Sequence, residues 1–301
     1  MRVTFLPDVE RRPRRVAVGE FDGVHLGHRA VIEGSDTVLT FEPHPLAVVR
    51  PDAAPRLLTT LERKAELVAE LGVEELVVIP FDRAFAQRGA EDFVEHVLVE
   101  SLQASRVSVG ENFRFGHRAQ GDTRLLAADE RFETRVVPLV EADGEVVSSS
   151  HIRGLVLAGE VDVAARFLGA PFALRGEVVP GDRRGRELGF PTANLIPDQT
   201  LIQPGHGIYA ARASFGEELR CAAVNVGVRP TFKTDLVVLV EAYLPDWSGD
   251  LYGAQLTLEF LSRLRGERRF DSAAALIEQM HRDVEDARAV FAARSATVPR
   301  R

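Results

Sequence analysis

The arrangement of apolar residues changes near residue 170, and no other feature of the sequence constrains the fold as strongly. Before this point, short apolar runs alternate with amphipathic stretches of helical spacing, a pattern that predicts parallel strands joined by helices. After it, β-rich runs follow one another with turn residues between them, which predicts an antiparallel barrel or sandwich. Gly169 and Pro171 mark the boundary. We therefore predict two domains, residues 1–169 and 170–297, which suits a chain of 301 residues.

Periodicity and turn residues predict the individual elements. The predicted strands of the first half are Val16–Val18, Thr37–Phe41, Leu76–Ile79, Arg106–Val109 and Val136–Leu139. Its predicted helices are Leu61–Leu71, with Thr59 or Thr60 as N-cap, Phe93–Leu102 and residues 159–169. The predicted strands of the second half are Leu174–Val179, Ile208–Ala213, Cys221–Val226, Val237–Tyr243 and Gln255–Phe260, before a final helix, Asp271–Phe291, capped by Ser272. Ligands of parallel sheets bind beyond the carboxyl ends of the strands, so motifs that follow strands are candidate sites.

The composition argues against several classes of protein. The net charge of −8 does not suit a nucleic-acid binder, which usually has a basic surplus. No apolar run reaches the roughly 18 residues of a membrane span, and no apolar signal core follows the N-terminal arginines, so we expect no membrane contact. The single cysteine, Cys221, cannot form an internal disulfide, which suits a reducing cytoplasm. Homo-oligomerisation is left open.

Lysine is almost absent from the chain. Lys64 and Lys233 are the two lysines among 37 basic residues, and the others are arginines. Genomic bias is the first explanation, and the bidentate geometry of arginine also suits phosphate groups.

A glycine-rich stretch follows the first predicted strand and reads Gly-Glu-Phe-Asp-Gly-Val-His-Leu-Gly-His at residues 19–28. Its glycines allow a tight turn in which the backbone approaches a ligand closely. His25 and His28 are three residues apart, so a helical turn places them on one face. A strand, a glycine turn and a helix start together form a phosphate site. For a bare H-x-G-H, a turn with two incidental surface histidines is about equally expected.

The longer string G-x-F-D-G-x-H-x-G-H resembles the nucleotidyltransferase signature in the form found in prokaryotic FAD synthetases. The resemblance implies a Rossmann-like parallel-sheet domain in which His25 and His28 steady the ATP phosphates while an adenylyl group moves to FMN, with no covalent enzyme intermediate. The remaining implied ATP-binding residues of this loop are Gly19, Phe21, Asp22, Gly23 and Gly27.

Three further stretches resemble motifs of the same family. Ser148–Arg153 resembles I-S-S-T-x-I-R and implies phosphate contacts from Ser149, Ser150 and Arg153. Thr40–Pro45 resembles T-F-x-P-H-P and implies that Pro43, His44 and Pro45 lie near the flavin. Gly110–Gly116 resembles G-x-[DN]-[FW]-x-F-G and implies flavin contacts from Asn112 and Phe113. A helix N-cap, a rigid turn and ordinary loop packing would explain each stretch on its own.

The stretch Gly181–Asn194 reads Gly-Asp-Arg-Arg-Gly-Arg-Glu-Leu-Gly-Phe-Pro-Thr-Ala-Asn. Arginines and backbone N–H groups suit ATP phosphates, whereas the Thr192 hydroxyl and the Asn194 carbonyl oxygen suit Mg²⁺. For the arginines alone, a solvated surface loop is the more common explanation. No G-x-x-x-x-G-K-[ST] sequence occurs, which excludes a P-loop enzyme. The stretch resembles the riboflavin kinase signature G-x-x-x-G-x-x-x-G-F-P-T-A-N, and this implies that Gly181, Arg186 and Gly189 bind ATP.

Later segments resemble the riboflavin kinase family in the same order: Gly207–Tyr209, Asn225–Phe232, Val240–Leu244, Asp250–Gly253 and Leu264–Phe270. The resemblance implies a β-barrel kinase domain with a C-terminal helix. It makes Glu241 the general base for the ribityl 5′-hydroxyl, a role that requires it within hydrogen-bond reach of that proton. It also implies that Arg265, Glu267 and Phe270 line the flavin site.

Together the two resemblances imply a bifunctional enzyme that uses ATP and Mg²⁺ twice. Residues 170–297 would convert riboflavin to FMN, and residues 1–169 would convert FMN to FAD with release of pyrophosphate. One alternative is a riboflavin kinase with a degenerate nucleotide-binding N-terminal domain, because the segment between His28 and Thr40 is short and residues 29–33 allow about one helical turn. A non-catalytic flavin-binding protein is the other alternative.

Overall fold

The computed structural model describes residues 1–181, 189–229 and 237–295. The chain divides into two compact units, Met1–Ser149 and Ser150–Arg301. Residues 150–169 thus group with the second unit, and the domain boundary between residues 169 and 170 stays a prediction.

The first unit contains a parallel sheet of six strands with the order β1-β4-β3-β2-β5-β8. Its strands are β1 (Arg2–Phe5), β2 (Arg14–Val18), β3 (Thr37–Glu42), β4 (Glu75–Pro80), β5 (Ala104–Gly110) and β8 (Glu133–Val137). Two short antiparallel pairs lie outside the sheet: β6 (Arg114–Phe115) with β7 (Gly121–Asp122), and β9 (Glu141–Ala142) with β10 (Glu145–Val146). Since the strand order reverses beside β2, a ligand crevice is expected beyond the carboxyl ends of β2 and β5.

Helices cover both faces of this sheet. They are α1 (Leu26–Ile32), α2 (Pro45–Val49), α3 (Leu61–Ala69), α4 (Ala90–Asp92, continued by a π-helix over Phe93–Ser101) and α5 (Thr123–Ala127). Alternate residues of β2 point to opposite faces: Val16 packs in the cluster that contains Phe93, and Ala17 packs in the cluster that contains Val68. The alternating strand–helix pattern therefore predicted this half correctly.

Several local predictions for the first unit were wrong. The edge strand β1 was not predicted, because its four residues alternate between polar and apolar without an apolar run, and it is held by parallel pairing with β4. Helix α1 begins at Leu26 and spans two turns rather than one, since His25 caps it. The Thr40–Pro45 motif, which a rigid turn would explain on its own, already contains the first residue of α2 at Pro45, where proline is well tolerated.

The second unit contains helices α6 (Ser149–Ala158) and α7 (Val161–Leu168), a closed barrel and the C-terminal helix α8 (Ala273–Ser295). The barrel strands are β11 (Phe172–Val179), β12 (Thr192–Pro197), β13 (Gly207–Phe215), β14 (Glu218–Arg229), β15 (Val237–Tyr243) and β16 (Gln255–Arg265). Their order is β11-β12-β15-β14-β13-β16, and β16 pairs with β11 to close the ring. The closed ring decides between the two predicted architectures in favour of the barrel.

One strand of the barrel was missed. Strand β12 was not among the predicted strands; it begins at Thr192, which pairs with Tyr243 of β15. The polar side chains of Thr192 and Asn194 hid the strand pattern, since they occupy positions where an apolar residue is usual. Among the described residues, the structure contains no helix with the length and apolarity needed to cross a membrane.

Candidate active sites

In the first unit, the two histidines of the glycine-rich stretch form a stacked pair. The backbone N–H of His28 donates to His25 Nδ1 (3.2 Å), which makes His25 the N-cap of α1. The two rings lie 3.5 Å apart between centroids, with an interplanar angle of 15°. A Cβ at residue 27 would approach the His25 ring to 3.2 Å, so the absence of a side chain at Gly27 leaves room for this ring. The prediction that both imidazoles share one face is confirmed.

The backbone of residues 19–25, which we call the phosphate loop, is locally strained. Phe21 (φ 50°), Gly23 (φ 86°) and Val24 (φ 42°) all lie in the left-handed region, which is a rare conformation for a β-branched residue. Phe21 and Val24 are buried, and the edge of the Phe21 ring meets His28 at 5.3 Å. Strain of this kind persists only where the surroundings enforce it, and it clusters at functional sites.

Asp22 helps to hold the strained backbone of the phosphate loop. Its buried carboxylate accepts the backbone N–H groups of Leu58 (2.8 Å) and Thr59 (3.1 Å). The N–H of Gly23 donates to Thr59 Oγ1 (3.0 Å). Both contacts fasten the phosphate loop to the segment that precedes α3, so the described role of the Asp22 carboxylate is to hold the loop.

The serine motif reaches the same loop. Ser149 Oγ donates to the carbonyl oxygen of Asp22 (3.0 Å), although the two residues are 127 positions apart. This contact brings together two motifs that the family resemblance implied to be neighbours. Ser150 and Arg153 belong to the second compact unit, and their role at the phosphate stays a prediction.

A cavity of about 960 Å³ opens beside the phosphate loop. Pro45, Asn112 and Phe113 of the predicted flavin contacts line it. The other predicted flavin contacts, Pro43 and His44, lie in the same turn as Pro45, and His44 Nδ1 accepts the N–H of Leu46 (3.2 Å) at the start of α2.

Apart from the Gly110–Gly116 motif, which supplies Arg114 and Phe115, most of the cavity wall was not predicted. Its further aromatic residues are Phe41, Phe81, Phe85 and Phe93, and its further arginines are Arg50, Arg83, Arg88 and Arg118. Phenylalanine rings favour a flat aromatic ligand, and arginines favour phosphate oxygens. The position of Phe81 directly after β4 was a usable signal, because ligands of parallel sheets bind at that end. Phe115 packs on Phe113 at 5.5 Å and is buried.

Two cavities of the second unit share Thr192 among their described lining residues. A cavity of about 480 Å³ is lined by Gly181, Asn194 and the Asp250–Tyr252 stretch, and another of about 710 Å³ is lined by Glu241. Thr192 lines both. A group that moves between ligands in the two cavities would therefore pass beside this hydroxyl.

Barrel register sets the polar side chains at this junction. Glu241 of β15 pairs with Asn194 on β12 and with Asn225 on β14. Asn225 Nδ2 donates to Glu241 Oε2 (3.3 Å). Asn194 is buried, and within the described ranges no donor reaches its Oδ1. A buried carbonyl oxygen without a partner is costly, which suits a cation as the missing partner.

The glycines of the predicted ATP loop are in place at its two ends. The backbone of Gly181 packs so closely on the Asn194 amide that a Cβ there would clash. Gly189 has φ +87°, in the left-handed region. Arg186 lies between them at a position outside the described residues, and so do residues 230–232 of the Asn225–Phe232 motif. In the parts of the chain that are described, no cluster of three or more His, Cys, Asp or Glu residues could hold a metal.

The larger cavity of the second unit contains all three predicted flavin residues: Arg265, Glu267 and Phe270. The guanidinium of Arg265 donates to both carboxylate oxygens of Asp283 (2.9 and 2.7 Å), which lies on α8. Arg268 lies over the Phe270 ring at 4.5 Å from its centroid. Asp283 was missed, because an acidic residue on an amphipathic helix looks like part of the solvated face.

Phe190 and Tyr243 also line this cavity, and their rings meet edge to face at 5.1 Å. Phe190 belongs to the stretch that resembles the riboflavin kinase signature, but the sequence did not predict a role for it. Its aromatic walls and the arginine held by Asp283 suit a flat ring, as the cavity of the first unit does.

Comparison with known proteins gives a consistent result for both halves. The family model for FAD synthetase matches residues 8–151, and the family model for riboflavin kinase matches residues 168–291. A bifunctional riboflavin kinase/FMN adenylyltransferase from Listeria monocytogenes is 36% identical over 292 residues, which covers 92% of each chain. The proteins of the same name from Escherichia coli K12 (36% over 290 residues, 92% of each chain) and Bacillus subtilis (35% over 288 residues, 90% of each chain) are similar to it as well.

A solved structure shares the fold throughout. The crystal structure titled macrolide-efflux protein from Streptococcus pneumoniae has a TM-score of 0.88 and 28% identity, and it covers 96% of this chain and 99% of that one.

Proposed function

This chain belongs to the bifunctional riboflavin kinase/FMN adenylyltransferase family, and from that premise we propose which residues carry each of its two reactions. The enzyme phosphorylates riboflavin to FMN and adenylylates FMN to FAD. The match of the FAD synthetase model to residues 8–151 favours two activities over a kinase with a degenerate N-terminal half.

In the adenylylation step, an FMN phosphate oxygen attacks the α-phosphorus of ATP, and the bond to the β,γ-diphosphate breaks to release pyrophosphate. FMN occupies the 960 Å³ cavity, where phenylalanines face the flavin ring and arginines face its phosphate. His25 and His28 donate hydrogen bonds to the ATP phosphates from their stacked arrangement. Donors fixed before the reaction stabilise the charge that develops at phosphorus.

The phosphate loop forms the rest of the nucleotide site. Its glycines admit the phosphates close to the backbone, Phe21 packs beneath His28, and Asp22 holds the loop in shape. Ser149, Ser150 and Arg153 complete the phosphate contacts in this proposal. Its flavin contacts are Pro43, His44, Pro45, Asn112 and Phe113.

In the kinase step, Glu241 accepts the proton of the ribityl 5′-hydroxyl as that oxygen attacks the γ-phosphorus, and ADP leaves. Riboflavin occupies the 710 Å³ cavity with Glu241, Arg265, Glu267 and Phe270 in its wall. ATP occupies the 480 Å³ cavity, which Gly181 lines, with Arg186 and Gly189 in the same loop. A base in the acceptor cavity is what a general-base role requires.

Mg²⁺ belongs to the kinase site in this proposal, and the residues present fit it. The Thr192 hydroxyl and the buried Asn194 Oδ1, which has no hydrogen-bond partner among the described residues, are hard oxygen ligands of the kind that Mg²⁺ accepts together with phosphate oxygens. Bound there, the ion would neutralise charge on the phosphates of ATP.

One observation carries the kinase assignment: Thr192 lines both cavities of the second unit, so donor and acceptor can meet beside it. Purified protein incubated with riboflavin, ATP and Mg²⁺ should form FMN and then FAD, and with FMN it should form FAD directly. FMN without FAD would support the kinase-only alternative. Flavin binding without either product would support a non-catalytic flavin-binding protein.

The location and partners are also part of the proposal. A cytoplasmic location suits an enzyme that uses ATP in both steps. Its partners are riboflavin, FMN and ATP, without nucleic acid or membrane, and its oligomeric state is left to experiment.

A further inference from the structure

Lys64 is a buried cation beside the adenylylation site that none of the sequence motifs includes. It lies in the first two turns of α3, and its side chain is 6% exposed. A lysine is seldom this buried unless it is paired. Lys64 is also one of two lysines in a chain whose other basic residues are arginines. Where arginine is the rule, a buried lysine indicates a space that accepts only a compact ammonium group.

The ammonium group closes a ring of hydrogen bonds around the phosphate loop. Lys64 Nζ donates to Thr40 Oγ1 (3.1 Å), and Thr40 Oγ1 donates to the carbonyl oxygen of Glu20 (3.0 Å). On its other side the loop is fastened through Asp22 and Gly23 to Thr59, just before α3 begins. The ring therefore runs from the loop to β3, to α3 and back to the loop.

The charges of three carboxylates from two elements act on the ammonium group. Glu20 and Asp22 come from the phosphate loop, and Glu42 comes from the end of β3. Burial lowers the pKa of Lys64, whereas these carboxylates raise it. Glu42 is faced by Glu62 of α3 as well as by Lys64. The cation is thus the positive centre of an acidic group that lies next to a site for polyphosphate.

Glu20 connects this group to the ligand, because it lines the 960 Å³ cavity. Burial raises the pKa of Glu20 to about 8, Lys64 acts to lower it, and Asp22 and Glu42 raise it. An ionised Glu20 would repel the phosphates of FMN and ATP, whereas a neutral one would not. The charge at Lys64 therefore influences the charge of the cavity wall.

We propose that Lys64 is a positioning residue for FMN adenylylation, which acts through Thr40 and Glu20 to hold the phosphate loop and to set the charge of the cavity wall. It contacts neither ligand itself. This inference rests on the proposed function of the first unit. It adds a residue from α3 to a site whose predicted members come from loops and from the starts of α1, α2 and α6.

Lys64→Met is the first test, since it keeps the length of the side chain and removes the charge. FAD formation from FMN, ATP and Mg²⁺ should fall roughly 10- to 100-fold, as expected when a loop that orders reacting groups is displaced. FMN formation from riboflavin by the same sample should stay near wild type and thereby reports that the protein is folded and competent.

The pH profile distinguishes positioning from a purely structural role. In the wild type, FAD formation should decline on the alkaline side as Glu20 ionises near pH 8. Without the cation that lowers the pKa of Glu20, the decline in Lys64→Met should move to higher pH. In Glu20→Gln the decline should be absent. Profiles from about pH 6 to about pH 10 cover the change.

Thr40→Val is a second test, and it keeps the buried charge of Lys64. It breaks the hydrogen-bond ring and leaves the charge of Lys64 in place, so FAD formation should fall while the alkaline decline keeps its midpoint. Thr40→Ser retains the hydroxyl and should restore most of the rate.

Arg14→Met is the matched control. Arg14 is also a buried cation of the first unit, paired with Glu75 (3.0 Å), but β2 and β4 begin at these residues, away from the ligand ends of the strands. Its loss should lower the melting temperature, while the alkaline decline of FAD formation stays where it is in the wild type.

The outcomes separate the inference from the function on which it rests. No FAD from folded wild-type protein would overturn both. An active wild type with Lys64→Met within about twofold of it, or with an unmoved alkaline midpoint, would overturn the role of Lys64 alone. A shift of that midpoint in Arg14→Met would overturn it too, because the effect would not be specific to the phosphate loop.

Discussion

The two sites of this enzyme are built differently for related phosphate chemistry. In the first unit, the proposed residues lie mainly on loops beyond the ends of β2, β3 and β5, and tertiary hydrogen bonds such as those of Asp22 hold the loop shape. In the second unit, Thr192, Asn194 and Glu241 lie on barrel strands, where strand register sets their places. The shape of the loop site thus depends on many supporting residues. In the strand site, the register of the strands places a few functional side chains.

The largest effect is expected at the strand site. Glu241→Gln should reduce FMN formation about a thousandfold, because the amide cannot accept the hydroxyl proton, and a general base contributes on the order of 10²–10⁴ in rate. Riboflavin binding, measured by flavin fluorescence, should persist. FAD formation from supplied FMN is the internal control and should be unchanged. Riboflavin turnover near wild type would remove Glu241 from the mechanism.

At the loop site, single changes should cost less. His25→Ala and His28→Ala should each lower FAD formation from FMN on the order of a hundredfold through loss of a preorganised donor. FMN formation should be nearly unaffected in both. His25 also caps α1, so its variant should lose about 1 kcal/mol of stability in addition.

Asp122→Ala separates the loss of a helix cap from the loss of a phosphate donor. Asp122 caps α5 by accepting the N–H groups of Arg124 (3.0 Å) and Leu125 (3.1 Å), and it does not line the flavin cavity. It should therefore reproduce the loss of stability with FAD formation intact. Equal losses of FAD formation in Asp122→Ala and His25→Ala would show that capping, rather than phosphate contact, explains the histidine.

In both sites, the sequence indicated residues that stand in recognisable motifs and missed residues that act through distant partners. His25, His28, Thr192 and Asn194 stand in long motifs, so a resemblance could suggest their roles, and the strand–helix alternation predicted the sheet that holds the first pair. Lys64 and Asp283 could not be found in this way, since each acts through a partner distant in sequence. The strand that contains Thr192 was missed because functional polar residues replace the apolar pattern of β12.

A second change at the strand site tests the proposed cation. Asn194→Ala removes the buried Oδ1 that has no partner in the described parts of the chain, so FMN formation should require roughly 10- to 100-fold more Mg²⁺. Titration with Mg²⁺ at saturating ATP measures this requirement. Asn194→Asp keeps an oxygen at the position and should need no more Mg²⁺ than the wild type. An unchanged requirement in Asn194→Ala would exclude this side chain as a ligand.

Truncation tests how far each site depends on its own unit. A fragment of residues 148–297 and one of residues 171–297 should both phosphorylate riboflavin, because Thr192, Asn194 and Glu241 lie on the barrel. The shorter fragment lacks α7, whose buried Val161 and Phe167 belong to the second unit. Its melting temperature should be lower by on the order of 10 °C. A folded shorter fragment that binds riboflavin and makes no FMN would show that the kinase needs residues outside the barrel.

The smallest effect concerns the stability of the loop site. In the folded protein, burial raises the pKa of Glu20 from 4.5 to about 8, so the folded state binds this proton more tightly than the unfolded state. The resulting stabilisation is complete below about pH 4.5 and is lost as the pH rises through about 8. Glutamine does not ionise. Glu20→Gln should therefore melt with the wild type near about pH 5 and above it near about pH 9.

Glu75 is the matched carboxylate for this measurement. It is also buried in the first unit, and burial alone would raise the pKa of its carboxyl group, but hydrogen bonds from Arg14 and Thr4 and the charges of Arg14 and Arg2 lower that pKa below 4.5. Its stabilisation is therefore present above about pH 4.5 and lost as the pH falls, so Glu75→Gln should melt below the wild type at neutral pH. If Glu20→Gln behaved like Glu75→Gln, Glu20 would be ionised in the folded protein at neutral pH, and an alkaline decline of FAD formation could not be assigned to its ionisation near pH 8.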